Sequence, residues 1–178
     1  MSESKNDQFP ALTLAILTIS DRSFRGERED RTGPELKAFI EGRGAKVVEL
    51  AVLPDDKDLI KQHLIALCDR PDSPEIILTA GGTGLGPRDV TPEATKDILD
   101  KEVPGLAEAM RAQSLKLTPA AMLSRAIAGI RKKTLIINLP GSPKGARENL
   151  EAVMPALPHA VEIIRSKIND CQQSSTKR

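Results

Sequence analysis

Aromatic residues are scarce in this 178-residue chain, which has three Phe and neither Trp nor Tyr. Proteins that bind single-stranded nucleic acid stack bases on aromatic side chains, so this composition disfavours that function. The formal net charge of +1 also gives no electrostatic attraction to nucleic acid or to an anionic membrane surface. We therefore expect no nucleic-acid partner and no membrane partner.

Cysteine, histidine and long apolar runs are equally scarce. Cys68 and Cys171 show neither metal-ligand spacing nor a disulfide framework, and the two histidines, His63 and His159, lie far apart. The N-terminal segment MSESKNDQFP is polar, unlike a signal peptide. No apolar run reaches the roughly 18 residues that a membrane span requires. These absences disfavour a zinc site and predict a cytoplasmic protein with reduced thiols.

The apolar pattern alternates between short continuous runs and helical periodicity, which predicts a single α/β domain over residues 11–168. We expect three layers: a doubly wound, mostly parallel sheet with helices on both faces. Residues 1–10 are predicted to be disordered, and residues 169–178 to form a flexible tail. The predicted strands are 12–20, 45–54, 75–80 and 134–140. Helices are predicted in 32–44, 55–69, 91–101, from 104, and from 143, while 118–133 is either all helix or a helix followed by a short strand.

Several helix boundaries carry recognisable capping residues. Thr32 and Glu35 have the spacing of a capping box, and Thr91 is predicted to be the N-cap of a helix with Pro92 at its first position. Ser142 is expected to cap the last helix, which Pro155 and Pro158 should divide. The apolar faces of the first two long helices are expected to point inward; they comprise Leu36, Phe39, Ile40, Leu59, Ile60, Leu64 and Leu67.

The carboxyl ends of the predicted strands are rich in glycine, proline, serine and aspartate. Ligands of open α/β sheets bind beyond these ends. The segments TISDR, VLPDD and LTAGGTGLGPRD bring carboxylates to this edge: Asp21, either Asp55 or Asp56, and Asp89. Carboxylate oxygens together with substrate phosphates are the ligands that Mg²⁺ prefers, so this edge is a candidate metal and phosphate site.

The glycine loop LTAGGTGLGPRDVTPEA has two interpretations. Gly81, Gly82, Gly84 and Gly86 allow unusual backbone angles and a close approach of N–H groups to a phosphate. The spacing matches neither the dinucleotide-binding fingerprint nor a P-loop. The alternative is a purely structural turn, with Asp89 as a capping residue and Arg88 as a surface charge. The residues by themselves indicate an enzyme or binding protein for a phosphorylated small molecule such as a nucleotide.

The same glycine segment, GGTGLGPRDVTPEA, resembles the MogA/MoaB family of molybdenum-cofactor biosynthesis. The segments TISDR, VLPDD, MLSRAIAGIR and INLPGSPKG match as well, so that the resemblance runs from about Leu12 to about Arg165. Within the family, the chain is most similar to the molybdopterin adenylyltransferases, including the plant Cnx G domain and the gephyrin G domain.

This resemblance implies an activity and an assembly. The terminal phosphate of molybdopterin would attack the α-phosphate of MgATP, giving adenylylated molybdopterin and pyrophosphate, in a cytoplasmic homotrimer with transient contacts to other cofactor-biosynthesis enzymes. Asp55 and Asp89 match the functionally important aspartates of the family and are the candidate catalytic residues and Mg²⁺ ligands. The resemblance and the strand-end positions together give the candidate residues for molybdopterin and ATP: Ser20, Asp21, Gly81, Gly82, Thr83, Gly84, Arg88, Ser124, Asn138, Pro140, Gly141 and Ser142.

Two other functions are compatible with such a sequence. One is a non-catalytic protein that binds or scaffolds molybdopterin, although the presence of both Asp55 and Asp89 argues against an inactive site. The other is a nucleotide hydrolase of the competence-damage type on a related domain. Such hydrolases are usually fused to a second domain, for which this chain has no room.

Overall fold

A six-stranded sheet in the order β2-β1-β3-β6-β5-β4 forms the centre of the computed structural model. The structure describes residues 11–174, with side chains described as far as residue 166. The pairs β1–β2, β1–β3 and β3–β6 are parallel, whereas β5 runs antiparallel to both of its neighbours. The strands are β1 (Thr13–Ile19), β2 (Lys46–Leu53), β3 (Ile76–Ala80), β4 (Lys101–Glu102), β5 (Ala128–Arg131) and β6 (Thr134–Leu139).

Helices cover both faces of this sheet, which confirms the predicted three-layer α/β architecture. One face packs on α2, α5, α6 and α7, and the other packs on α3 and α4. Strands β1, β3 and β6 are buried on both faces, as their continuous apolar sequences predict. The helices are α1 (Asp21–Phe24), α2 (Thr32–Glu41), α3 (Lys57–Asp69), α4 (Thr91–Lys96), α5 (Pro104–Leu115), α6 (Pro143–Val153) and α7 (Leu157–Ser174).

The structure corrects several local predictions. Thr32 forms no capping box, because Asp30 accepts the first backbone N–H groups of α2 and the Thr32 hydroxyl donates elsewhere. Leu59, expected to point inward, is 46% exposed near the start of α3. Thr91 is not the N-cap of its helix: it is the first residue of α4, and Val90 precedes it as an N-cap without a side-chain hydrogen bond. The helix predicted over 91–101 ends at Lys96, and Lys101 belongs to β4.

The uncertain segment 118–133 contains the short strand rather than helix throughout. A 3₁₀ turn occupies Pro119–Leu123 and β5 follows at Ala128. Ser142 caps α6 as expected, and a 3₁₀ turn at Met154–Ala156 separates α6 from α7. The predicted disordered segment 1–10 lies outside the described residues, as do residues 175–178 of the predicted flexible tail 169–178. The first part of that tail, as far as Ser174, is helical and belongs to α7.

Neither a membrane-spanning helix nor a reactive core thiol is found in the part of the chain that the structure describes. No described helix combines the length and the apolar character needed to cross a bilayer. Cys68 is buried between α3 and the sheet, and this burial raises the pKa of its thiol to about 11. Cys68 is therefore protonated and inert at neutral pH.

Candidate functional site

A cavity of about 700 Å³ opens beyond the carboxyl ends of β1, β2, β3 and β6. This is the edge at which an open α/β sheet binds ligands. The cavity contains backbone from the glycine loop, carboxylates from two strand ends and the charged segment that precedes α2. Its lining consists of Ile19, Ser20, Arg28, Glu29, Asp30, Arg31, Thr32, Asp55, Gly81, Gly82, Thr83, Gly84, Asp89, Gly141, Ser142 and Pro143.

Two aspartates connect the ends of β1 and β2. The Asp21 N–H donates to Asp55 Oδ2 at 2.8 Å, and the Asp55 N–H donates to Asp21 Oδ1 at 3.0 Å. Arg88, from the glycine loop, donates to both Asp21 carboxylate oxygens at 3.0 and 3.1 Å. Arg88 is thus held in a forked ion pair and is more than an isolated surface charge. These bonds tie three neighbouring loops together and fix Asp55 at the wall of the cavity.

The choice between Asp55 and Asp56 is settled by the start of α3. Asp56 is the N-cap, and its carboxylate accepts the N–H groups of Asp58 and Leu59, each at 3.0 Å. The Asp55 side chain is therefore directed to the cavity and not to the helix.

The first half of the glycine loop places unpaired N–H groups in the cavity. Gly81 and Gly82 have φ values of +116° and +64°, which residues with a Cβ rarely adopt. Within residues 11–174, the N–H groups of Gly82, Thr83 and Gly84 have no protein acceptor. Successive unpaired N–H groups at a strand end are the kind of arrangement that binds an anion.

The second half of the loop is closed by Asp89. The Gly86 N–H donates to Asp89 Oδ2 at 2.8 Å, and the Asp89 N–H donates to the Gly86 carbonyl at 3.0 Å. A Cβ on Gly84 or Gly86 would come within about 3.0 or 2.8 Å of that same oxygen, so these two glycines make room for the carboxylate. Asp89 therefore does not cap α4. It shapes the loop with one oxygen and lines the cavity.

The loop after β6 completes the floor of the cavity. Gly141 lies so close to the glycine loop that an added Cβ would approach Gly81 Cα at 3.2 Å. The carbonyl of Gly141 accepts a hydrogen bond from the Thr32 hydroxyl at 2.8 Å, which ties this loop to the start of α2. Ser142 caps α6 by accepting the Gly145 N–H at 3.2 Å.

A second, smaller cavity of about 310 Å³ lies on the other side of the glycine loop. Thr83, Gly84 and Ser142 line both cavities. The exposed surface of the smaller one is mostly apolar although polar residues also line it. Its remaining lining comes from α5, the following 3₁₀ turn, the loop after β6 and α6: Arg111, Ser114, Leu117, Thr118, Ala120, Ala121, Leu123, Ser124, Pro140, Gly145, Glu148 and Asn149. Two adjoining cavities of different polarity suit a reaction between two ligands.

The two linked aspartates have pKa values shifted in opposite directions. Burial raises the pKa of the Asp55 carboxyl above its ordinary value, the Asp21 N–H opposes this shift, and the charges of Asp21 and Asp89 reinforce it. The ion pair with Arg88 lowers the pKa of Asp21. Desolvation and the neighbouring carboxylates thus make the negative charge at Asp55 costly.

The described residues do not by themselves supply a complete set of ligands for a metal ion. Among the described residues, no three His, Cys, Asp or Glu side chains are grouped so as to hold a metal ion. Magnesium fits such a site, because it is commonly held by one or two carboxylates and completed by substrate phosphates and water. Asp55 and Asp89 both line the larger cavity.

The predicted site residues divide into four groups. Asp55, Asp89, Ser20, Gly81, Gly82, Thr83, Gly84, Gly141 and Ser142 line the larger cavity, while Ser124 and Pro140 line the smaller one. Asp21 and Arg88 line neither cavity and pair with each other at the edge of the site. The prediction that Asn138 binds a ligand is corrected by the structure. The Asn138 side chain is fully buried and donates to the Thr79 and Thr95 hydroxyls, so it stabilises the core and does not reach the cavity.

Sequence reasoning missed the segment 28–32, which forms one wall of the larger cavity. Asp30 anchors it by accepting the Thr18 hydroxyl at 2.9 Å and the N–H groups of Thr32 and Gly33 at 3.0 and 3.1 Å. Arg28 and Arg31 are exposed at this wall and form no ion pair with the described residues. The one available signal was the charge density of RGEREDRT between a strand end and a helix start.

Comparison with known proteins identifies the family of this chain. The model of a family described as "Probable molybdopterin binding domain" matches residues 15–159. A molybdopterin adenylyltransferase of Helicobacter pylori strain J99 is 45% identical over 153 residues, which are 85% of this chain and 86% of that protein. Gephyrin of Dictyostelium discoideum is 44% identical over 164 residues, which are 86% of this chain and 23% of that longer protein.

Solved structures give the same result. The crystal structure of the molybdopterin biosynthesis enzyme MoaB from Thermus thermophilus is 53% identical to this chain, with a TM-score of 0.81. The match covers 86% of this chain and 96% of the Thermus chain. The protein therefore belongs to the molybdopterin-binding family of molybdenum-cofactor biosynthesis, as its resemblance to the MogA/MoaB proteins predicted.

Proposed function

We propose that this protein is a molybdopterin adenylyltransferase that uses ATP as its second substrate. The observation that carries the proposal is the glycine loop between two cavities, with unpaired N–H groups beside Asp55 and Asp89. Relatives that bear this activity in their name are 42–45% identical to the chain and support the same reaction.

The reaction requires no nucleophilic side chain. An oxygen of the terminal phosphate of molybdopterin attacks the α-phosphorus of ATP, and the bond from that phosphorus to the α,β-bridging oxygen breaks. The electron pair leaves with pyrophosphate, and adenylylated molybdopterin forms. Phosphoryl-type transfer depends mainly on positioning and on neutralisation of charge. Unpaired backbone N–H groups and cations at the cavity wall supply both.

The two cavities would bind different parts of the substrates. The larger, highly polar one suits the reacting phosphates, which the N–H groups of Gly82, Thr83 and Gly84 would hold. Arg28 and Arg31 stand at its wall and would neutralise the outer phosphates. The smaller cavity, with its apolar residues, suits one of the two ring systems.

Asp55 and Asp89 would hold Mg²⁺ together with the phosphates of ATP, and the metal would supply positive charge for the transferred group. This proposal rests on the fit of the donor set. Both carboxylates line one cavity, and the raised pKa of Asp55 reflects both its desolvation and the neighbouring Asp89 charge. Asp21 and Arg88 would act by fixing Asp55, because Asp21 bonds to both the N–H group and the carboxylate of that residue.

We extend the proposal to a cytoplasmic homotrimer that meets other cofactor-biosynthesis enzymes transiently. Exposed apolar side chains support an association between subunits: Phe24 is 56% exposed, Leu117 62% and Met122 64%. Sedimentation equilibrium at micromolar concentration is expected to give three times the mass of the chain. A monomer at every concentration would refute the trimer and leave the proposed reaction intact.

Incubation of the purified protein with molybdopterin and MgATP tests the activity. We expect adenylylated molybdopterin and pyrophosphate in equal amounts, and no pyrophosphate when molybdopterin is omitted. The Asp55→Asn variant is the matched control for a contaminating enzyme. Binding of molybdopterin without product would indicate a scaffold, and release of inorganic phosphate without molybdopterin would indicate a hydrolase; either result would contradict the proposal.

A further inference from the structure

Arg125 lies next to Ser124 in the segment MLSRAIAGIR, but its side chain lines neither cavity. The guanidinium instead spans the glycine loop. Its Nε donates to the Gly84 carbonyl at 2.7 Å, and Nη2 donates to the Asp89 carbonyl at 2.6 Å. One planar group thus binds both ends of the segment that closes over Asp89.

The remaining groups of Arg125 reinforce this position. Its backbone N–H donates to the Thr83 carbonyl at 3.0 Å, and its Nη1 forms an ion pair with Glu93 in the first turn of α4. The positive charge is therefore largely neutralised by Glu93 and is poorly suited to attract a phosphate. Arg125 contributes a planar, forked guanidinium with several hydrogen-bond donors in one plane, a geometry that lysine lacks.

On its opposite side the loop is tied to Asp21 by the forked ion pair of Arg88, and towards β5 it has few other restraints. Asp89 and Gly86 bond to each other, and the Thr91 N–H donates to the Gly82 carbonyl at 3.1 Å. The hydrogen bonds between Asp89 and Gly86 shape the turn, but they do not fix it against the rest of the molecule. Arg125 joins the turn to the chain that enters β5 (residues 128–131), and thereby sets where the Asp89 carboxylate lies in the larger cavity.

We propose that Arg125 is a positioning residue for adenylyl transfer, which holds the glycine loop so that its N–H groups and Asp89 meet the reacting phosphates. This inference rests on the proposed function. A misplacement of reacting groups by about 1 Å lowers the rate about a hundredfold. Loss of the fork is therefore expected to lower kcat about a hundredfold, and to raise the KM for ATP far less, because Arg125 lines neither cavity.

The experiment compares Arg125→Ala and Arg125→Lys with Arg131→Ala. Arg131 is the matched control: it also donates to a backbone carbonyl, that of Ile98 at 3.1 Å, pairs with Asp69, and lines neither cavity. For each protein the melting temperature, kcat, the KM for ATP and the amide hydrogen exchange of peptides covering residues 81–90 are measured. Guanidinium, at concentrations far below those that unfold proteins, is added to Arg125→Ala, with methylammonium as the comparison.

We expect both Arg125 variants to have a lower kcat and faster hydrogen exchange of the loop amides. Guanidinium, but not methylammonium, is expected to restore part of the kcat of Arg125→Ala. Arg131→Ala is expected to retain wild-type kcat. Wild-type kcat in either Arg125 variant, or an equal loss in Arg131→Ala, would overturn the inference. If Arg125→Ala fails to fold, Arg125→Lys decides, because it keeps the charge beside Glu93 and loses only the fork. An inactive wild-type protein would instead refute the proposed function.

Discussion

Gly82 is the position where a single methyl group tests the packing of the site most sharply. Its φ of +64° is unfavourable for any residue with a Cβ. An added Cβ would also overlap the Thr91 hydroxyl and approach Asp55 Oδ1 at 3.3 Å. Thr91 is fully buried, so it has no free space into which to move.

The expected cost of Gly82→Ala has two parts. The left-handed backbone costs about 1–2 kcal/mol, and forcing a methyl into a filled core costs about 1–3 kcal/mol more. Gly26 separates these parts, because its φ is +73° and an added Cβ there meets nothing within 4 Å. Gly26→Ala is therefore expected to show the backbone cost alone, about 1–2 kcal/mol.

Urea denaturation of both variants measures the difference in the free energy of unfolding. We expect Gly82→Ala to be less stable than Gly26→Ala by about 1–3 kcal/mol. We also expect it to lose adenylyl transfer even where it is fully folded, since the methyl pushes against Asp55. Equal stability of the two variants, or normal turnover in Gly82→Ala, would show that Gly82 is a simple turn residue and that our description of the site is wrong.

Three further predictions concern charge. Asp55→Asn is expected to be at least as stable as wild type at pH 7 but about a hundredfold slower. The pKa of Asp55 is raised in the folded protein, so its ionisation lowers the free energy of unfolding as the pH rises above the ordinary aspartate pKa. A lower melting temperature of Asp55→Asn than of wild type at pH 7 would contradict this expectation. Asp89→Asn is expected to keep its fold and to lose transfer about a hundredfold, as measured by product formation on a preparation of unchanged melting temperature. Arg28→Ala and Arg31→Ala are each expected to raise the KM for ATP about tenfold, whereas Arg22→Ala, on α1 outside both cavities, should leave it unchanged; steady-state kinetics at fixed ionic strength separates these outcomes.

The sequence predicted the sheet and its edge well, because buried parallel strands leave a strong pattern. Continuous apolar segments such as 13–19 and 134–139 are covered on both faces, and polar residues follow directly where each strand ends. The parallel order then brings Asp55 and Asp89 to one cavity. That much follows from strand direction and needs no side-chain detail.

The apolar pattern of the sequence does not predict the direction in which each strand side chain points. Asn138 lies near the end of β6 like a site residue, but it faces Thr95 of α4. In a strand buried on both faces, alternation does not tell which side chains point to a ligand. The segment 28–32 was missed for a different reason: it has no periodicity, and Asp30 and Thr32 hold it in place through partners far along the chain.

Transfer of label from ATP tests the central claim most directly. Wild-type protein is incubated with molybdopterin and Mg²⁺, once with ATP labelled at the α-phosphate and once with ATP labelled at the γ-phosphate. We predict that the α-label appears in molybdopterin and the γ-label in pyrophosphate, because the bond between the α-phosphorus and the bridging oxygen breaks. A γ-label recovered as inorganic phosphate, or an α-label that never joins molybdopterin, would contradict the account.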